Sequence, residues 1–249
     1  MSEHMTTDYA SQGMIRLWTM ATGRGVPVVL CNGGPGCCDY LAPVATLLEE
    51  VAQVIRFEHR GCGRSSGGPP YSVATSLEDL EIIRQHHGIQ RWVVIGHSWG
   101  ADVALVYALH YPERVYGFAC LAGGRVHNDR EWHTVYEQGR DQGLEPELEF
   151  DYPPNMEVNA QVNRSWKEYI QRPALLKELA ALDRPALFLY GERDIRPRWP
   201  VEQLARLLPD AQFRLLAGAN HYLWATHAAP MQTMLQAFVR RVAGVAGVG

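Results

Sequence analysis

The chain has 249 residues, a length that suits one large α/β unit better than two small ones. At 47% hydrophobic and 20% charged residues it has the make-up of a globular protein with ample material for a core. A net charge of -4, with basic residues that are nearly all arginine and scattered, argues against nucleic acid or an anionic membrane as a partner.

Met1 to Gly13 is polar and lacks the apolar stretch of a secretory signal. No apolar run approaches the ~20 residues that span a bilayer. The cysteines (Cys31, Cys37, Cys38, Cys62 and Cys120) are odd in number in a chain too large to need staples, and read as reduced thiols. The expectation is a soluble, cytoplasmic protein.

Short runs rich in Val, Ile and Phe alternate with longer helical patterns, which predicts a mostly parallel sheet with helices on both faces. Strands are predicted at about Met14–Met20, Pro27–Asn32, Val51–Glu58, Arg91–Ile95, Val115–Leu121, Pro185–Tyr190 and Ala211–Leu216. The middle runs, such as Trp92-Val93-Val94-Ile95, are apolar on both faces, as central parallel strands are. Helices are predicted at about Cys38–Glu50, Ser76–His87, Ser98–His110, Val201–Leu208 and Pro230–Val242. Ser76, followed by Glu78 and Asp79, reads as an N-cap with acids in the first turn, and Gly88 as the stop. Residues 101–109 are apolar nearly all round, which predicts a helix buried against the sheet.

From Val126 to Ala180 the alternation breaks and the chain turns polar, with Trp/Tyr clusters and a run of acids. This stretch is expected to be an inserted helical cap, with 1–125 and 181–249 forming the core. The small residues of Val242–Gly249 are expected to fray. No internal repeat is visible.

Gly96-His97-Ser98-Trp99-Gly100 fits G-x-S-x-G, and it directly follows an apolar strand and opens a buried helix. A serine on that sharp turn needs neighbours two positions away without side chains, so that strand and helix can approach. The helix N-terminus then points its dipole at a developing oxyanion. Cys31-Asn32-Gly33-Gly34-Pro35-Gly36 follows a predicted central strand, where glycines let backbone N–H groups face a substrate. The expected oxyanion donors are the N–H groups of Trp99 and Gly34, with Gly33 as the second choice.

The partners follow in the order Ser, acid, His. Asp194 closes a turn after a buried strand in Tyr190-Gly191-Glu192-Arg193-Asp194, and Glu192 competes for the acid's role. His221 lies in a loop after the last strand, in Gly218-Ala219-Asn220-His221. Ser98, Asp194 and His221 are thus the candidate nucleophile, orienting acid and base of two-step acyl transfer. His97 is expected to point away from the site. No H-E-x-x-H or paired Cys-x-x-Cys occurs, so no metal site is expected, and the chemistry calls for no cofactor.

Three segments together resemble the prolyl aminopeptidase (proline iminopeptidase) branch of the α/β hydrolases. They are Asn32-Gly33-Gly34-Pro35-Gly36, Glu58-His59-Arg60-Gly61-Cys62-Gly63-Arg64-Ser65 and the Ser98 pentapeptide, beside that family's H-G-G-P-G, D-Q-R-G-x-G-x-S and G-G-S-W-G. The resemblance implies an α/β-hydrolase fold, the triad of Ser98, Asp194 and His221, and Trp99 in the oxyanion hole. Asn32 replaces a His, Glu58-His59 an Asp-Gln, and His97 a Gly, and the predicted cap is short. Cap carboxylates hold the substrate's free amine in those peptidases, which makes Glu145, Glu147, Glu149 and Asp151 candidates here; a solvated acidic face is the other reading. Trp166 and Tyr222 are candidates for an apolar acyl pocket.

The expected substrate is therefore a small molecule or short peptide with an ester or amide bond. An esterase or lactonase on the same body is the alternative. A ligand receptor without catalysis and redox sensing by Cys37, Cys38 and Cys62 are readings from other classes.

Overall fold

The computed structural model describes residues 6–127 and 129–245. Among these, strands β1 (Thr6–Gln12), β2 (Ile15–Gly23), β3 (Val26–Cys31), β4 (Ala52–Phe57), β5 (Trp92–His97), β6 (Val115–Leu121), β7 (Ala186–Gly191) and β8 (Ala211–Leu216) form one sheet. Its order is β1-β2-β4-β3-β5-β6-β7-β8. The β1/β2 and β2/β4 pairs are antiparallel, and every pairing from β4 through β3 to β8 is parallel.

Side chains alternate across the sheet, so each central strand feeds two cores. Val28 and Leu30 join Val93, Ile95, Leu187 and Leu189 on one face. Val29 and Cys31 join Val94, Phe118 and Phe188 on the other. Helices α1 (Ala42–Thr46) and α8 (Leu223–Val245) contribute to the first core. The second core takes in α2 (Val73–His86), α3 (Trp99–His110) and α7 (Trp199–Leu207). Helix α3 is buried from Trp99 to Ala108, in keeping with its all-round apolar sequence.

The sequence reading misses β1. Its residues are polar and only Ala10 is fully buried, so no period-two pattern marks it. It is held as an edge strand by its ladder to β2 through a turn at Gly13-Met14, with the Arg16 guanidinium 3.7 Å from the Tyr9 ring centre. The helix predicted at Cys38–Glu50 shrinks to Ala42–Thr46, since Asn32 Nδ2 donates to the Cys37 and Cys38 carbonyls and keeps that stretch a loop. Helix α2 begins earlier than predicted: Ser72, not Ser76, is the N-cap, in a capping box with Thr75. At its far end the Gly88 and Ile89 N–H groups bond back to Gln85 and Arg84, the closure a C-terminal glycine permits. Helix α8 starts at Leu223 rather than Pro230. A proline at 230 is incompatible with a regular helical carbonyl one turn before it, and the backbone is non-helical at His227. Residues 246–249 of the predicted fraying tail lie outside the described residues.

Between β6 and β7 the chain forms α4 (Arg130–Asp141), α5 (Met156–Tyr169) and α6 (Leu175–Ala180). Asp129 caps α4 by accepting from the Trp132 N–H, and Asn155 caps α5. Val158, Val162 and Trp166 recur every four residues and bury one face of α5. Helix α5 is also tied to the Gly33–Gly36 loop. The Asn155 N–H donates to the Gly36 carbonyl and Asn159 Nδ2 to that of Pro35, each at 2.9 Å. Among the described residues, no helix is long and apolar enough to cross a membrane.

Candidate active site

Strand β5 runs into α3 through Ser98, whose backbone sits at φ 54° and ψ -122°. A Cβ added at Gly96 would drive into the Gly100 carbonyl, and one at Gly100 into that of Cys31. Only glycine at both positions lets strand, turn and helix close this tightly, and the left-handed serine between them is a strained residue held by its surroundings. The Ser98 N–H is anchored to the Leu121 carbonyl at the end of β6. Trp99 is the first residue of α3, so its N–H lacks an intrahelical acceptor.

Asp194 lies after β7 and His221 after β8. His221 Nδ1 donates to Asp194 Oδ2 at 2.7 Å, and both side chains are buried. That bond leaves Nε2 of the imidazole as the basic nitrogen. The second oxygen, Oδ1, accepts from the Arg196 N–H at 3.0 Å and from its guanidinium at 3.3 Å. Burial pushes the Asp194 carboxyl up, but His221 and Arg196 outweigh it and hold it below the usual carboxylate value. Glu192, the competing acid, is exposed and accepts from the Gly218 N–H at 2.8 Å.

His97, expected to point away from the site, is buried against His221. Its Nε2 lies 3.1 Å from the His221 carbonyl and its Nδ1 2.7 Å from the Tyr40 hydroxyl. A carbonyl only accepts, so Nε2 carries the proton, Nδ1 accepts from Tyr40, and the Tyr40 oxygen takes the Gly33 N–H at 2.7 Å. Burial, with His221 adding to it, holds the His97 imidazole well below its ordinary pKa, so it is neutral. The Gly33 N–H, the second choice for the oxyanion, is thus spent on Tyr40, and the first choice, Gly34, stays the candidate alongside Trp99.

A cleft of about 510 Å³ opens at Ser98, with Trp99, Ala122, Trp132, Trp166, Arg125 and Arg196 among its walls. Trp166 therefore sits at the site, while Tyr222 packs on the His97 and His221 rings beside it. The four acids of the polar segment do not converge. Glu145 is ion-paired with Arg196 at 2.5 Å, whereas Glu147, Glu149 and Asp151 are exposed. Glu149 lines a separate surface groove with Arg56 and Arg64.

The five cysteines are free and buried. Burial pushes the Cys37 thiol up to about 11 and Cys62 to about 12, so neither is a thiolate near neutral pH. The Glu58–Ser65 motif is stitched into the body. The buried Glu58 carboxylate accepts from the Asp39 N–H and from Arg64, and the Ser65 hydroxyl links the Glu58 carbonyl to the Trp18 N–H. Among the described residues, no group of three or more His, Cys, Asp or Glu side chains is arranged to hold a metal ion.

Tyr40, Arg125 and Arg196 escape the sequence reading. Arg196 falls two residues past Asp194, and that short spacing is the local mark that could have found it. The pairing of Tyr40 with His97 spans 57 positions and has no local mark.

The sheet order, the Ser98 elbow and the Asp194–His221 pair are those of an α/β hydrolase, and the alpha/beta hydrolase fold model matches residues 26–145. The chain has that fold, and it is a distant, partial homologue of proline iminopeptidases. The proline iminopeptidase of Neisseria gonorrhoeae is 37% identical over 105 residues, 37% of this chain and 31% of that protein. The chain spans about a third of the length of the curated relatives it matches. Among solved structures, the proline iminopeptidase of Mycobacterium smegmatis superposes with a TM-score of 0.75 at 16% identity, covering 97% of this chain and 100% of that one. Naproxen esterase of Bacillus subtilis gives 0.71 at 17% identity, covering 94% and 91%. At such identities the superpositions speak for the fold alone.

Proposed function

We propose that the chain is a serine hydrolase that cleaves an ester or amide of a small molecule or short peptide through an acyl-enzyme. The observation that carries this reading is the Asp194–His221 hydrogen bond, in loops at the same edge of the sheet as the left-handed Ser98. His221 Nε2 takes the Ser98 hydroxyl proton as Oγ attacks the carbonyl carbon. The N–H groups of Trp99 and Gly34 receive the oxyanion, and His221 then hands its proton to the leaving group. Water repeats the sequence on the acyl-enzyme, and no cofactor enters these steps.

Between the two kinds of bond, ester cleavage is the better supported. An amide needs its departing nitrogen protonated, and a proline aminopeptidase also needs a carboxylate for the substrate ammonium. Arg196 engages Glu145, which removes one of the four candidates for that role. The test is a panel of short-chain 4-nitrophenyl esters and proline 4-nitroanilide, run on wild type and Ser98→Ala. Esters are expected to turn over readily and the anilide weakly, with both lost in the variant. Anilide turnover exceeding that of the esters would reverse the ranking, and undiminished ester cleavage by Ser98→Ala would remove the nucleophile.

A further inference from the structure

The two guanidinium groups in the Ser98 cleft differ in how their charge is met. Arg196 is neutralised twice, by Asp194 and by Glu145. Among the described residues, Arg125 has no ion-pair partner. Its guanidinium carbon sits over the Trp132 ring, 3.8 Å from the ring centre, and one nitrogen, Nη1, donates to the His127 carbonyl at 2.7 Å. The nearest acid in the cleft wall is Asp102, and its Oδ1 is committed to the backbone N–H groups of Gly124 and Arg125. A largely buried cation met by a carboxylate only at longer range, with no direct ion pair, is costly to keep. Its retention beside the nucleophile is explained if the missing partner is brought by the ligand.

We propose that the cleft beside Ser98 is an anion subsite in which Arg125 holds a carboxylate on the acyl portion of the substrate. The proposal rests on the serine-hydrolase reading for what the bound molecule undergoes, but the subsite itself is a matter of binding. A guanidinium presents its remaining N–H groups as a planar fork that matches a carboxylate, and stacking on Trp132 pre-orients that fork. The aromatic walls, Trp132 and Trp166, would take the methylene chain between carboxylate and scissile carbonyl.

Mono-4-nitrophenyl succinate and 4-nitrophenyl butyrate share a leaving group and acyl length and differ only in the terminal carboxylate. The expected result is a kcat/KM ratio of about tenfold or more in favour of the succinate ester. That preference falls by about tenfold in Arg125→Gln and is partly kept in Arg125→Lys, which retains the charge without the fork. Circular dichroism checks that each variant is folded, and if Arg125→Gln is not, Arg125→Lys carries the comparison alone. A ratio unchanged by either substitution overturns the subsite. Calorimetric titration of Ser98→Ala with succinate reads binding without turnover. Succinate should bind, and adding Arg125→Gln should weaken it about tenfold. No binding, or binding indifferent to Arg125, overturns the proposal. If neither ester is cleaved by wild type while succinate binding still depends on Arg125, the hydrolase reading falls and the subsite stands.

Discussion

The Tyr40 hydroxyl donates to His97 Nδ1 at 2.7 Å, and through that bond the loop after β3 is coupled to the loop that carries His221. The coupling fixes three things at once: the tautomer of His97, the carbonyl of His221, and the use of the Gly33 N–H. Tyr40→Phe keeps the ring and removes both hydrogen bonds. It leaves a buried donor and a buried acceptor unmet, at a cost of about 1–3 kcal/mol in stability. Because the residue acts through His221, kcat for an ester should fall more than KM changes. Unaltered kcat in a folded Tyr40→Phe variant would reduce the pair to packing.

The two acids near the end of β7 separate cleanly by environment. Asp194 is buried against His221, while Glu192 is exposed on the Gly218 N–H. Asp194→Asn should therefore cost on the order of 10⁴ in kcat, by loss of the group that fixes the imidazole tautomer. Glu192→Gln should cost far less. Steady-state kinetics on one ester decides it, and the reverse ranking would make Glu192 the orienting acid.

How much of this was open to sequence reading follows from the range of the interactions. The central strands and α3 were legible because burial on both faces leaves continuous apolar runs, as at Trp92–Ile95 and residues 101–109. Ser98 was legible because close approach of strand and helix demands glycine at 96 and 100. Strand β1 was not, because an edge strand held by backbone bonds needs no apolar alternation. The start of α2 was misplaced because Ser72 and Ser76 both suit a cap, and only the fold shows that the Ser76 hydroxyl donates to the Ser72 carbonyl. The fate of Gly33 turns on Tyr40, seven residues on in the same loop, and that of Glu145 on Arg196, 51 residues away, and neither pairing follows a regular local pattern.

Burial raises the Asp102 carboxyl to about 7, with Arg125 and the two backbone N–H groups pulling the other way. In the unfolded chain the same group titrates at about 3.9. Between those values the folded chain holds a proton that the unfolded chain has lost, so stability drains as pH rises through that window and levels off above it. Asp102→Asn keeps the accepting oxygen and removes the titration. The excess of its melting temperature over wild type should grow from about pH 4 to about pH 7 and then stay flat. A difference independent of pH would show that Asp102 is ionised throughout.

Ser98, as an activated nucleophile, should be labelled by a fluorophosphonate, since only an activated serine attacks phosphorus near neutral pH. Intact-mass analysis should find one adduct per chain, and peptide mapping should place it on Ser98. Ser98→Ala should fold and remain unlabelled. An adduct on another residue, or equal labelling of the Ser98→Ala variant, would place the nucleophile elsewhere.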